Sequence, residues 1–149
     1  METNLRITTN GSKEKRVSSK VLYPELSFRL TGLLFSVHNE LGRFAREKQY
    51  GDLFEKKLNE AGLLFKREQR IGDSGNIFDF VIEDKIALEF KAKPILLQED
   101  FRQIQNYLYQ SRLELGMLIN FRNKYLKPER VLRIPSNCDK MNPVSGFHS

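Results

Sequence analysis

From Pro24 onward, apolar residues return at helical spacing. Leu26, Leu30, Leu33, Leu34, Val37 and Leu41 form one stripe, and Gly42 is a suitable stop. Pro24 suits the first turn of a helix, where its missing N–H removes no bond. A second stripe, Tyr50, Phe54, Leu58 and Ala61, predicts a helix over Ala45–Ala61 closed by Gly62. The period then changes from about 3.6 to 2. Leu63–Ile71 predicts a strand with a basic face (Lys66, Arg70), followed by the turn cluster Gly72-Asp73-Ser74-Gly75-Asn76. Ile77–Ile82 predicts a second strand, Glu83-Asp84-Lys85 a tight connection, and Ile86–Lys91 a third strand. A helix over Leu97–Leu113, a buried strand over Met117–Phe121 and a short strand over Arg130–Ile134 complete the pattern. The order α-α-β-β-β-α-β-β predicts an α/β (α+β) layer around one sheet.

The chain has 149 residues, which fits one domain of roughly 21–134 between two less patterned ends. Residues 1–20 carry five basic and two acidic side chains without sustained period, and read as a flexible basic arm. Residues 135–149 read as a weakly ordered tail. A single cysteine, Cys138, excludes an internal disulfide and fits a reducing, cytoplasmic setting. The two histidines, His38 and His148, form no zinc-type cluster, and His38 reads as a packing or helix-surface residue. No apolar run approaches the ~20 residues of a membrane span, so a soluble protein is expected. With 25 Lys+Arg against 19 Asp+Glu, the net charge of +6 permits a polyanionic partner without requiring one.

Chemistry concentrates on the second and third strands. With a three-residue connection, Ile82 pairs with Ile86, and counting outward places Asp79 opposite Glu89. In this register Ile77, Asp79 and Val81 share one face, as do Ala87, Glu89 and Lys91. A two-residue connection would send the two carboxylates to different faces. Like charges directly opposite destabilise a strand pair, and burial raises the cost. A divalent cation resolves the conflict, because Mg²⁺ takes oxygen ligands and often one or two carboxylates. Glu-x-Lys occurs three times, at Glu55–Lys57, Glu83–Lys85 and Glu89–Lys91, and only the last has apolar flanks on both sides.

Other positions are less specific. Glu47 lies three before Tyr50 and seven before Phe54, hence on the apolar stripe facing the sheet; a first-turn glutamate favoured by the helix dipole is the plain alternative. Gln103 and Tyr107 lie four apart on one helical face, as a solvent glutamine and a core-edge tyrosine or as site residues. Arg122, Lys124, Lys127, Arg130 and Arg133 cluster around Tyr125 with one acid, Glu129. They read either as a phosphate-binding patch or as solvated loop charges.

In order, these segments resemble the GxxExxY family, a branch of the PD-(D/E)XK nuclease-like superfamily. The resemblance runs from about Leu26 to Ile134. Phe35–Gly42 is similar to the family's opening segment, and Glu47-Lys48-Gln49-Tyr50 supplies the ExxY of the name. Phe78-Asp79-Phe80 with Ala87–Ala92 resembles the superfamily's D…ExK signature. Gln103–Leu108 and Leu115–Phe121 resemble the helix and strand that follow. Phe44 stands where the family's first glycine falls, and Phe78 replaces the proline of the PD pair.

The resemblance implies a restriction-endonuclease-like core, with a mixed central sheet flanked by helices, and Mg²⁺- or Mn²⁺-dependent hydrolysis of phosphodiester bonds in DNA or RNA. Asp79, Glu89 and the Phe90 carbonyl would hold the metal. Lys91 would stabilise charge on the phosphate or position water. Glu47 would act on the metal through water or steady the site, and Gln103 would orient Lys91 or touch the nucleic-acid backbone. Arg122, Lys124, Lys127 and Arg130 would contact phosphates. Small nucleases of this kind often act as homodimers, since cutting both strands needs two sites. The rivals are a nuclease fold whose site is idle and which binds nucleic acid or protein, and an α/β interaction domain whose matching residues are coincidental.

Overall fold

The computed structural model describes residues Leu22–Pro135. The arm at 1–20, and in the tail Cys138 and His148, lie outside the described residues. Helix α1 spans Pro24–Leu41 and α2 spans Glu47–Ala61. Strands β1 (Phe65–Arg70), β2 (Ile77–Ile82) and β3 (Ile86–Lys91) follow, then α3 (Gln98–Ser111), β4 (Leu115–Asn120) and β5 (Glu129–Leu132). The five strands form one sheet in the order β1-β2-β3-β4-β5. All neighbours are antiparallel except β3 and β4, which run parallel and are joined through α3. This is the expected mixed sheet, with β3 at its centre. Among the described residues no helix is long and apolar enough to cross a membrane.

Two apolar layers sandwich the sheet. On one face Leu30, Leu34 and Val37 of α1 and Tyr50, Phe54 and Leu58 of α2 pack on Phe80, Ile82, Leu88, Phe90, Ile119 and Phe121. Aromatic rings dominate that layer. Tyr50 stacks on Phe121 with centroids 4.1 Å apart, and Phe54 meets Phe80 and Phe90 edge-on at 5.0 and 5.4 Å. Such pairs contribute about 0.5–1.5 kcal/mol each beyond area burial. They fix α2, and so the start of α2, against the centre of the sheet. On the other face Ile104 and Leu108 of α3 pack on Ile71, Phe78, Val81, Ala87 and Leu118. Gly116 permits this close approach, since a Cβ there would lie 2.8 Å from Ile104 Cδ1.

The hairpin register is the expected one at the turn end: Ile82 pairs with Ile86, Val81 with Ala87 and Phe80 with Leu88. The expected sharing of faces along β2 needs correction. Phe78 joins Val81 in the α3 layer, Phe80 and Ile82 lie in the α1–α2 layer, and Ile77 is exposed. Alternation therefore breaks between Phe78 and Phe80. The reason is local: no regular backbone pair forms at Asp79 with either neighbouring strand. Across from it on β1, Glu68 takes a left-handed backbone conformation (φ 54°) and is likewise unpaired.

Candidate active site

The interrupted rung is where the acidic side chains meet. The Asp79 N–H donates to Glu89 Oε1 at 3.1 Å, and the Phe90 N–H donates to Asp79 Oδ2 at 2.6 Å. Carboxylates thus substitute for the backbone ladder where β2 and β3 part. This satisfies the backbone donors. It also places two acids side by side between β2 and the central strand β3. Only 6% of Glu89 is exposed.

The electrostatics follow from this enclosure. Burial, then the neighbouring Asp79 charge, push Glu89 from 4.5 up to about 8. Burial also raises Asp79; the Phe90 N–H works against that rise, and the nearby Glu47 charge adds to it. Among the described residues neither acid forms an ion pair with a lysine or arginine.

Lys91, two residues after Glu89 on β3, turns toward α3. Its Nζ donates to Gln103 Oε1 at 3.1 Å and lies 3.9 Å from Asp100 Oδ1. The structure thus brings Lys91 and Gln103 into direct contact. Asp100 was not singled out from sequence. It is buried and accepts hydrogen bonds from Lys93 Nζ at 2.8 and 3.1 Å and from the Leu97 N–H at 2.7 Å. Burial pushes its pKa upward, but the Leu97 N–H and Lys93 outweigh this and hold the carboxyl below its ordinary value. Tyr107, one turn beyond Gln103, packs edge-on against Phe78, and burial together with the Glu89 charge raises its phenol.

On the opposite side, a cleft of about 410 Å³ opens above Asp79, lined by Glu47, Gly51, Arg67, Glu68, Phe80 and Phe90. Glu47 sits in the exposed first turn of α2 and faces this cleft at its mouth rather than the closed core. Arg67 is a second residue that sequence reasoning missed. Its guanidinium lies over Phe80 at 5.5 Å and donates to Asp52 Oδ1 (2.8 Å) and Glu55 Oε1 (2.9 Å). Gly51 makes room for it, because a Cβ there would stand 2.5 Å from Arg67 Nη2. The available signal was its place on β1: the alternation that puts Lys66 and Arg70 outside puts Arg67 on the inner face.

The basic residues divide. Arg122 Nη2 donates to the Ala92 carbonyl at 3.2 Å, one residue beyond Lys91. Lys124 lies 5.5 Å from the Tyr125 ring, and Lys127 is exposed. Arg130 is hydrogen-bonded to Ser27 Oγ (2.6 Å) and the Leu22 carbonyl (2.9 Å), tying β5 to the start of α1. His38 makes a 2.9 Å hydrogen bond with the Asn123 carbonyl, a packing role.

The residues fit a hard divalent cation. A buried and a half-buried carboxylate, adjacent and outside any ion pair among the described residues, are a donor set that Mg²⁺ or Mn²⁺ accepts, with water and substrate filling the other positions. Among the described residues no group of three His, Cys, Asp or Glu side chains closes around one point. Side-chain ligation would therefore rest on the pair.

The family model of the PD-(D/E)XK nuclease superfamily matches residues 24–134. The chain belongs to this superfamily. Its members are typically metal-dependent, in keeping with the carboxylate pair. No curated protein matches the chain. Among solved structures it is similar to SSO0001, known from a crystal structure, with 18% identity, 73% of this chain and 68% of that one covered, and a TM-score of 0.44.

Proposed function

We propose that the chain is a metal-dependent nuclease that hydrolyses phosphodiester bonds of nucleic acid, DNA foremost, and that within the superfamily it falls in the GxxExxY branch. The observation that carries this reading is the open rung, where Asp79 and Glu89 replace the backbone ladder with Lys91 on the same strand. Asp79, Glu89 and the Phe90 carbonyl would hold Mg²⁺ or Mn²⁺. The bound cation supplies Lewis-acid polarisation of the phosphoryl group and makes water more acidic. Lys91, on the α3 side of the carboxylate pair, would offset the charge that grows on the phosphate oxygens, an interaction worth most where the site is preorganised. Gln103 and Asp100 set its direction. Glu47, at the cleft mouth, orients water by accepting a proton-bearing O–H. Arg122, Lys124 and Lys127 offer phosphate contacts on the adjoining surface. The GxxExxY assignment rests on Glu47 and Tyr50 in the ExxY spacing.

The test is plasmid nicking with Mg²⁺, with EDTA, and with Lys91→Ala. Cleavage is expected to need the metal and to fall at least about 10²–10³-fold in the variant, the scale for losing one preorganised electrostatic group. Cleavage that survives EDTA or Lys91→Ala overturns the mechanism. Nucleic-acid binding without cleavage marks a nuclease fold used for binding alone.

A further inference from the structure

We infer that the loop joining α1 to α2 is a base-stacking platform and that the substrate is single-stranded where it crosses this loop. The inference rests on the nuclease reading and names its substrate class. Phe44, in the loop, is 73% exposed, and Tyr125, after β4, is 79% exposed. Each ring has cations beside it. Arg43 and Arg122 place their guanidinium carbons 4.9 and 5.6 Å from the Phe44 centroid, and Lys124 Nζ lies 5.5 Å from that of Tyr125. Isolated apolar side chains on a surface are ordinary. Two exposed rings flanked by three cations near an acidic cleft are a different pattern. Rings that accept bases, with charges that accept phosphates, are the recurring means of holding unpaired nucleic acid.

The platform is fixed and close to the site. The Tyr50 hydroxyl donates to the Gly42 carbonyl at 2.6 Å and accepts the Ala45 N–H at 3.1 Å. Arg43 Nε donates to the Arg122 carbonyl at 2.8 Å. These bonds hold Phe44 outward with little freedom to fold back. Phe44 precedes Glu47 by three residues, at most about 10 Å of chain. On the other side the Phe121 N–H donates to the Lys91 carbonyl at 2.9 Å, and Arg122 reaches the Ala92 carbonyl. A strand whose phosphate lay at the acidic pair would therefore bring a neighbouring base over Phe44. In a duplex that base is stacked on both faces and presents only its edges. An unpaired base has free faces to offer.

The chain contains no tryptophan, so Phe44→Trp installs a single indole reporter. In EDTA, where cleavage is stopped, the full-length variant is titrated with oligo-dT, oligo-U and a blunt duplex of equal length. Quenching by a single strand and not by the duplex is the expected result, and the two oligomers separate a deoxyribose from a ribose preference. Phe44→Ala is expected to weaken single-strand binding by about 5- to 100-fold, the scale of one lost stack. Its duplex affinity and salt dependence should not change, because no phosphate contact is removed. Phe44→Trp keeps an aromatic face and should recover the single-strand binding that Phe44→Ala loses. Single-strand binding without quenching, or equal losses for both forms in Phe44→Ala, overturns the platform and leaves the nuclease reading standing. No binding of any of the three ligands, together with no cleavage in Mg²⁺, overturns both.

Discussion

Glu89 and Asp100 are each only 6% exposed, yet their charges are treated in opposite ways. Around Asp100, on the α3 side, Lys93 and the Leu97 N–H more than offset the cost of burial, and the group stays ionised. Around Glu89, on the central strand, burial comes first and the strongest neighbouring charge is another acid's, and its pKa is pushed up to about 8. Low exposure alone does not decide the state of a carboxyl; how deep it lies and what stands beside it do. One acid stabilises the fold by holding Lys93 and steadying Lys91. The other is left with a deficit that an external cation can fill.

The contrast is broken most severely at Asp100. Replacing it by Asn leaves Lys93 unpaired, and about 2–3 kcal/mol of stability should be lost in urea unfolding. This lies at the lower edge for buried pairs, because both lysines keep contact with water. Glu89→Gln should do the reverse. Removing one of two like charges while keeping an oxygen for the Asp79 N–H should stabilise the metal-free protein by about 1–2 kcal/mol at pH 8, while cleavage is lost. The sign of its pH dependence is definite. Below 4.5 the folded and unfolded chains both hold the Glu89 proton. Between there and about 8 the unfolded chain releases a proton that the fold retains, so this group's contribution declines as pH rises. The advantage of Glu89→Gln over the parent should therefore be slight in acid and grow to a plateau above about pH 8. The smallest effect is from the metal. Mg²⁺ at a few times its Kd should stabilise the parent by about 1 kcal/mol at pH 8, by mass action on the folded state alone, and should leave Glu89→Gln almost unmoved.

Much of this site could be read from local pattern. The three-residue connection Glu83–Lys85 determines the hairpin register as far as Phe80 opposite Leu88, and one step beyond it side-chain bonds bring Asp79 beside Glu89. Gln103 lies on the expected helical face and reaches Lys91. What escaped the pattern depends on partners far along the chain. Arg67 is bound by Asp52 and Glu55 of α2, and Asp100 by Lys93 across a connecting loop. The face taken by Phe78 escaped for another reason: period-2 reasoning assumes an intact ladder, and here side chains replace part of it. Glu47 was placed on the right side of α2, but its exposure was not legible, because a helix end rises out of the layer its own stripe defines.

The two hydrogen bonds of the Tyr50 hydroxyl have an engineering consequence. They secure the backbone at Gly42 and Ala45 from below, so the side chain between them is a detachable tip on a rigid mount. Position 44 could be varied among aromatic and aliphatic side chains without re-optimising the scaffold, and a small panel of such tips would separate what the ring contributes from what its mount does.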